Sequence, residues 1–168
     1  MSKLTESLEN GPHHQLNQMV GTWKGVTKVW FEPGNPIDVS EQNGAIHPLF
    51  DGRFLLHEYK STFDGKPIEG LAIIGYHMKT GQFQTAWVDT YHMGTGILLS
   101  DGERGSKLFS ALGHYEASAD DPTTWGWRTT FEMENPDWLV IRMYNVFPDG
   151  TEAIAVETVY ERVKVAFD

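Results

Sequence analysis

The chain has no cysteine among its 168 residues. That excludes disulfides, thiol catalysis and thiolate metal sites together, and it is compatible with a reducing, cytoplasmic setting. Basic residues are also scarce. Thirteen Lys and Arg stand against 23 Asp and Glu, a formal charge of −10, and they do not cluster. Such a surface repels a phosphate backbone, so nucleic acid is not an expected partner. No apolar run approaches the roughly 20 residues of a membrane span. Residues 1–10 carry acids where a signal peptide would carry an apolar core. The expectation is a cytoplasmic protein without membrane insertion. No G-x-S-x-G elbow, phosphate loop, dinucleotide fingerprint or H-E-x-x-H metal motif occurs. No cofactor and no metal are therefore expected, although His57 and Asp89 with His77 or His92 make a conceivable ligand set.

What is present is aromatic and turn-rich. Aromatics make up 12% of the chain, six of them Trp, alongside 17 Gly and eight Pro. That suits a β-rich interior or an aromatic-lined pocket. Residues 1–10 read as a flexible tail, and residues 11–168 as one domain. From Asn10 to Gly21, a capping Asn, an early Pro and a terminal Gly frame Leu16, Met19 and Val20 on one face. This predicts a short amphipathic helix placed to plug one end of the domain, with His13-His14 solvated at its start.

Ten strand-like runs come next, near 22–32, 38–47, 53–63, 67–77, 82–91, 95–100, 107–117, 124–134, 138–147 and 152–163. Breakers close each of them, and Asp64-Gly65 and Asp149-Gly150 read as two-residue type I′ hairpins. No gap is long enough for a βαβ crossover, so the sheet is expected to be antiparallel and sequentially paired. Ten open strands would leave two bare edges, and closure removes both. The predicted fold is all-β: a single closed antiparallel up-and-down barrel of about ten strands.

Alternation divides the last three strands into two faces. One carries Trp125, Trp127, Thr129, Phe131, Leu139, Ile141, Met143, Ile154, Val156, Thr158 and Tyr160. The other carries Arg128, Arg142, Tyr144 and Glu157, given one irregular residue at Asn135-Pro136-Asp137. Burial preference puts the Trp-rich face inside. The alternative turns Arg128, Arg142, Tyr144 and Glu157 into a polar cavity. A second cluster follows from the Asp64-Gly65 turn, which pairs Tyr59 with Gly70 and His57 with Ala72. A tight turn near Lys79-Thr80 then sets Trp87 beside Ala72 and Asp89 beside Gly70. His57, Tyr59, Trp87 and Asp89 over small residues make either ordinary cross-strand packing or room for a ligand.

Gly21-Thr22-Trp23 after a short helix resembles the calycin superfamily of lipocalins and fatty-acid-binding proteins. That resemblance implies a basic residue late in the last strand packed across the Trp, and Arg162 is the candidate. Over residues 20–163 the chain resembles, more narrowly, the DUF1579 family of uncharacterised bacterial proteins. The carrying stretches are Gly21-Thr22-Trp23-Lys24-Gly25, Gly52-Arg53-Phe54-Leu55, Gly65-Lys66-Pro67-Ile68-Glu69-Gly70, Gly75-Tyr76, Trp87-Val88-Asp89, Arg128, Pro148-Asp149-Gly150 and Glu157-Thr158-Val159-Tyr160-Glu161-Arg162. Where such families carry Gly-Tyr-Asp, this chain has Gly75-Tyr76-His77. The similar nitrobindin barrels turn the phase of Glu157 inward, which favours the polar-cavity alternative. They bind haem through a histidine in the closing strand, but here no histidine follows His114.

Three functions follow as expectations. The first is a barrel that binds a small hydrophobic or amphipathic molecule, with aromatics holding its body and Arg128 or Arg142 an anionic end. The second is a cofactor-free enzyme, of isomerase, decarboxylase or cyclase type, using Glu157 or Asp89 with Arg128. The third is a structural barrel without a pocket, forming a homodimer through outward Trp30, Trp125 or Trp127.

Overall fold

The computed structural model describes residues 1–164. Helices α1 (Lys3–Asn10) and α2 (Pro12–Asn17) precede ten strands. These are β1 (Gly21–Val29), β2 (Asp38–Leu49), β3 (Phe54–Phe63), β4 (Lys66–His77), β5 (Gln82–Asp89), β6 (Leu98–Gly102), β7 (Phe109–Ser118), β8 (Asp121–Asn135), β9 (Trp138–Val146) and β10 (Glu152–Arg162). Each strand pairs antiparallel with the next, and β1 pairs with β10 to close the barrel.

The Asp64-Gly65 turn sets the register of β3 and β4. Both residues have positive φ, 48° and 71°, as a type I′ turn requires. Phe63 therefore faces Lys66, Tyr59 faces Gly70, and His57 faces Ala72. Asp149-Gly150 differs from expectation. Only Gly150 has positive φ there, and its N–H donates to the Phe147 carbonyl at 2.8 Å. The loop has three residues, because Pro148 fixes a negative φ that suits a type I turn and not its mirror image.

One end of the barrel is plugged. Leu16 and Met19 are buried there, and Asn17 Nδ2 donates to the Gly52 carbonyl at 2.8 Å. Trp23 Nε1 donates to the Met19 carbonyl at 2.9 Å, and the Arg162 guanidinium lies 4.3 Å over the Trp23 ring. This is the packing that the calycin resemblance implies. Residues 3–10, expected as a tail, are helical instead: the Ser2 hydroxyl caps α1 by accepting from Thr5 N at 3.1 Å. Because α1 folds against α2, His13 is buried and not solvated. Its Nδ1 lies 2.8 Å from Ser7 Oγ, and its ring packs edge-on to Tyr76.

The Trp-rich face lines the lumen. Phe131, Ile141 and Thr158 align across β8, β9 and β10, as do Thr129, Met143 and Val156. The expected irregularity falls between Met133 and Asn135. A second one, between Ile154 and Val156, pairs Ile154 with Tyr144 and so takes it off the inward face. Trp127, an outward candidate for a dimer interface, is buried in the lumen, where it stacks on Trp87 at 5.7 Å.

Candidate functional site

The two halves of the lumen differ in chemistry. The plugged half is oil: Leu55, Ile74, Phe83 and Leu139 have no exposed surface. Toward the mouth the inward rows carry polar groups at buried positions, namely Thr27, Gln42, His57, Asp89 and Thr158. The two threonines face each other across β1 and β10, and Thr158 Oγ1 donates to Thr27 Oγ1 at 3.0 Å. A buried polar group is costly unless it is partnered, so each partner is informative.

The expected pairing of Ala72 with Trp87 and of Gly70 with Asp89 is present. With the β3–β4 register it gathers His57, Tyr59, Trp87 and Asp89 on one inward face. Trp87 Nε1 donates to Tyr59 Oη at 3.0 Å, and the His57 and Tyr59 rings lie 5.2 Å apart. The glycines opposite do not leave a void. A Cβ on Gly70 would fall on the Tyr59 ring, and one on Gly44 would fall on Tyr160 Oη. The space they release is filled by those tyrosines.

His57 is fully enclosed, and burial pushes its pKa down to about 4. The ring is therefore neutral at pH 7. Tyr160 Oη accepts from Gln42 Nε2 at 2.7 Å, which leaves its proton free for His57 Nε2 at 3.1 Å. Burial also raises the Tyr160 phenol, and it raises Tyr59 with help from the Asp89 charge. Both stay protonated as donors.

Asp89 ends β5, and its side chain has no solvent exposure. Its two oxygens hold the loop 90–97 over the mouth: Oδ1 accepts from Met93 N at 2.7 Å, and Oδ2 lies 2.6 Å from His92 Nδ1. His92 in turn packs beside the stacked Trp87–Trp127 pair, tilted against both rings at 5.6 and 5.5 Å. In the sequence, His92 stands out only as a conceivable metal ligand. The signal for its actual role was the Asp-x-x-His spacing at a strand end, where a carboxylate caps the following turn. Below this loop lies a cavity of about 40 Å³, lined by Thr27, Gln42, Tyr59, Asp89, His92 and Thr158 among others. It has room for water but not for a larger ligand.

Arg128, Arg142, Tyr144 and Glu157 are on the outer wall, which corrects the polar-cavity alternative. Arg128 makes a two-pronged pair with Glu152, with Nε to Oε1 at 2.7 Å, and lies 4.3 Å over the Tyr144 ring. Arg142 Nε donates to Glu157 Oε2 at 2.8 Å and Nη1 to Glu132 Oε2 at 3.3 Å. Arg128 and Glu157, proposed to act together, have different partners. The physical reason is volume: Trp127, Phe131 and Tyr160 occupy the lumen, and the charges keep their water outside it. Half-exposed pairs of this kind contribute roughly 0.2–1 kcal/mol each.

A larger concavity, about 730 Å³, opens on the outer side and reaches Asp89 and Gly94 at the edge of the mouth. It is an open trough across β1 to β5, floored by backbone at Gly44 and Gly70 and flanked by Glu58, Lys60, Glu69 and Leu71. Its charged groups already have partners: Lys60 pairs with Glu69 at 3.0 Å and Glu58 with His47 at 3.6 Å. The buried polar groups converge on the mouth, and that is the better candidate site. Among the described residues no three His, Asp or Glu side chains converge as a metal-ligand set, and no helix is long and apolar enough to cross a membrane.

Similarity to a solved structure supports the barrel. The S-type phycobiliprotein lyase CpeS from Guillardia theta is 10% identical, with 91% of this chain and 93% of that chain covered and a TM-score of 0.53. A de novo designed fluorescence-activating β-barrel is 15% identical over 88% and 95% of the two chains, with a TM-score of 0.45. A DUF3598-family protein of unknown function from Nostoc punctiforme is 11% identical over 89% of this chain and 49% of that one, with a TM-score of 0.40. No curated protein matches the sequence. The plug helix and all ten strands fall within residues 9–162, the stretch matched by the family of proteins of unknown function DUF1579, and the chain belongs to that family.

Proposed function

We propose that this barrel binds a small amphipathic molecule at its mouth, with the loop 90–97 as the cover that must move to admit it. The observation that carries this reading is the convergence of buried polar groups on the residual cavity under that loop. Asp89 and the Gln42–Tyr160–His57 chain set a few fixed polar groups on an aromatic floor, which is what an oriented ligand needs. The similar CpeS barrel is named as a phycobiliprotein lyase, so a fold of this kind is compatible with more than a scaffold role. The expected anionic ligand end is not retained in this reading, because Arg128 and Arg142 face outward.

A cofactor-free acid–base enzyme is the second reading. It rests on one observation, the 2.6 Å contact of Asp89 with His92 beside the cavity, which is the geometry of an oriented general base.

Native mass spectrometry of freshly purified protein, compared with the denatured mass, tests the first reading. An extra mass lost on denaturation is expected. A bare mass, together with no change in thermal midpoint across a panel of charged and neutral amphiphiles, would sink it.

A further inference from the structure

The occupant of the mouth is the protein's own His92, and its surroundings are unusual for a histidine on a loop. On one side is the carboxylate of Asp89, with a side chain that has no solvent exposure. Against another is the stacked pair of Trp87 and Trp127, each ring within 5.6 Å and tilted to the imidazole, with the Tyr91 ring edge-on at 4.8 Å. A buried carboxylate with aromatic rings packed against one space is an arrangement that recognises an organic cation, through charge on one side and ring quadrupoles on another.

The electrostatics of the mouth have one sign. The residues lining its cavity include no Lys or Arg. A second carboxylate, Asp38, lies near enough to Tyr91 to hold that phenol up together with burial and Asp89. The whole chain carries −10, so a cation is attracted from a distance as well. The floor also retains an unused donor: Trp127 is 7% exposed, and its Nε1 has no partner among the described residues.

The hydrogen bonds that hold the loop are few. His92 Nδ1 and Met93 N both bond Asp89, Thr90 N donates to the Glu69 carbonyl at 2.9 Å while Thr90 Oγ1 accepts from Glu69 N at 3.1 Å, and Gly96 N donates to the Met93 carbonyl at 2.9 Å. Two of these five end on the carboxylate that a cation would claim. Displacing His92 would free the place it fills beside the stacked indoles, next to the cavity that it lines.

We propose that the mouth is a receptor for an organic ammonium group, held by Asp89, Trp87 and Trp127, and that the His92 imidazole fills that place when no ligand is bound. This rests on the binding reading above and adds the chemical class of the ligand. An ammonium carrying a short body with a hydrogen-bond acceptor fits best, the acceptor meeting Trp127 Nε1.

The test uses the full chain and three probes matched in length: hexyltrimethylammonium, hexanol and hexanoate. Calorimetric titration gives affinity, and tryptophan fluorescence gives contact with Trp87 and Trp127. The cation is expected to bind at least about tenfold more tightly than either control, a difference within the range of a desolvated cation–π contact. His92→Ala, which removes the resident competitor, should bind the cation several-fold more tightly. Asp89→Asn keeps an acceptor for Met93 N and should lose about tenfold or more. If Asp89→Asn does not fold, the His92→Ala comparison decides alone. Equal binding of hexanol or hexanoate, or no gain in His92→Ala, overturns the ammonium proposal and leaves a binding barrel of another specificity. No binding of any probe by either the wild type or His92→Ala overturns both.

Discussion

Among single residues, His57 ties stability to pH. Its folded pKa of about 4 lies below the ordinary value of 6.5 because the charged ring would have to sit in the lumen without water. The unfolded chain therefore binds more protons than the folded one between those two values, and stability must fall as pH drops through that window. Integrated over the shift, the loss is about 3 kcal/mol. His13, lowered by burial and by the nearby Arg53 charge, acts in the same direction. Urea midpoints measured from pH 7 to 4 should decline steeply in the wild type. In His57→Gln they should decline less, since glutamine keeps a polar contact to Tyr160 without a titrating ring. Parallel curves for the two proteins would refute the assignment. The neighbourhood of His57 was legible in the sequence, because one Asp-Gly turn fixes register and register fixes who faces whom. The sidedness of Arg128, Arg142, Tyr144 and Glu157 was not. Alternation says which residues share a face, but the volume of Trp127, Phe131 and Tyr160 decides which face can be enclosed.

At the level of elements, β6 is the weak seam. It has five residues, with four paired positions on β5 and three on β7, whereas β3 and β4 share ten. Loop 90–97 enters it and loop 103–108 leaves it, so the least-paired stretch of wall lies beside the covered mouth. Local openings follow local pairing. Amides of β6 are expected to exchange hydrogen through openings at least about 30-fold more frequent than those of β3 and β4, a gap of about 2 kcal/mol. Equal protection in native-state exchange would mean that the mouth has no preferred place to open. The sequence placed this strand near 95–100, and the structure has it at Leu98–Gly102. The delay has a local cause: Asp89 captures Met93 N and His92, curling residues that would otherwise extend β5 or begin β6. The remaining strands were legible because each was bounded by Gly, Pro or Asp at its turns. Loop 90–97 also carries Gly94 and Gly96, but its length is set by the buried Asp89, which those glycines do not mark.

For the whole molecule, the decisive step is closure, which joins the two most distant strands of the chain. Seven residue pairs link β1 to β10, Trp23 to Arg162 through Val29 to Val156. Arg162 then reaches beyond the sheet. Its guanidinium donates to the carbonyls of Gln18 at 2.8 Å, Pro136 at 2.9 Å and Val20, while its plane covers Trp23. One side chain thus satisfies backbone acceptors from the plug, the β8–β9 turn and the start of β1, all at the end of the barrel that holds the oil. The sequence pointed to this pair through its resemblance to calycins. It did not indicate the three carbonyls, because acceptors brought together from positions 18, 20 and 136 have no local pattern. Arg162→Met keeps the aliphatic stem against Trp23 but strands those acceptors. The expected loss is roughly 2–4 kcal/mol in unfolding free energy, from charge-assisted bonds and the cation–π contact. The urea m-value should be unchanged, since the same surface is exposed on unfolding. Arg162→Lys should recover only part of the loss, because a single ammonium cannot span three carbonyls and stack as a plane. A loss below about 0.5 kcal/mol in Arg162→Met, in the range of ordinary surface changes, would mean that sheet pairing alone closes the barrel. Full recovery in Arg162→Lys would mean that charge, not the planar fork, is what the closed end requires.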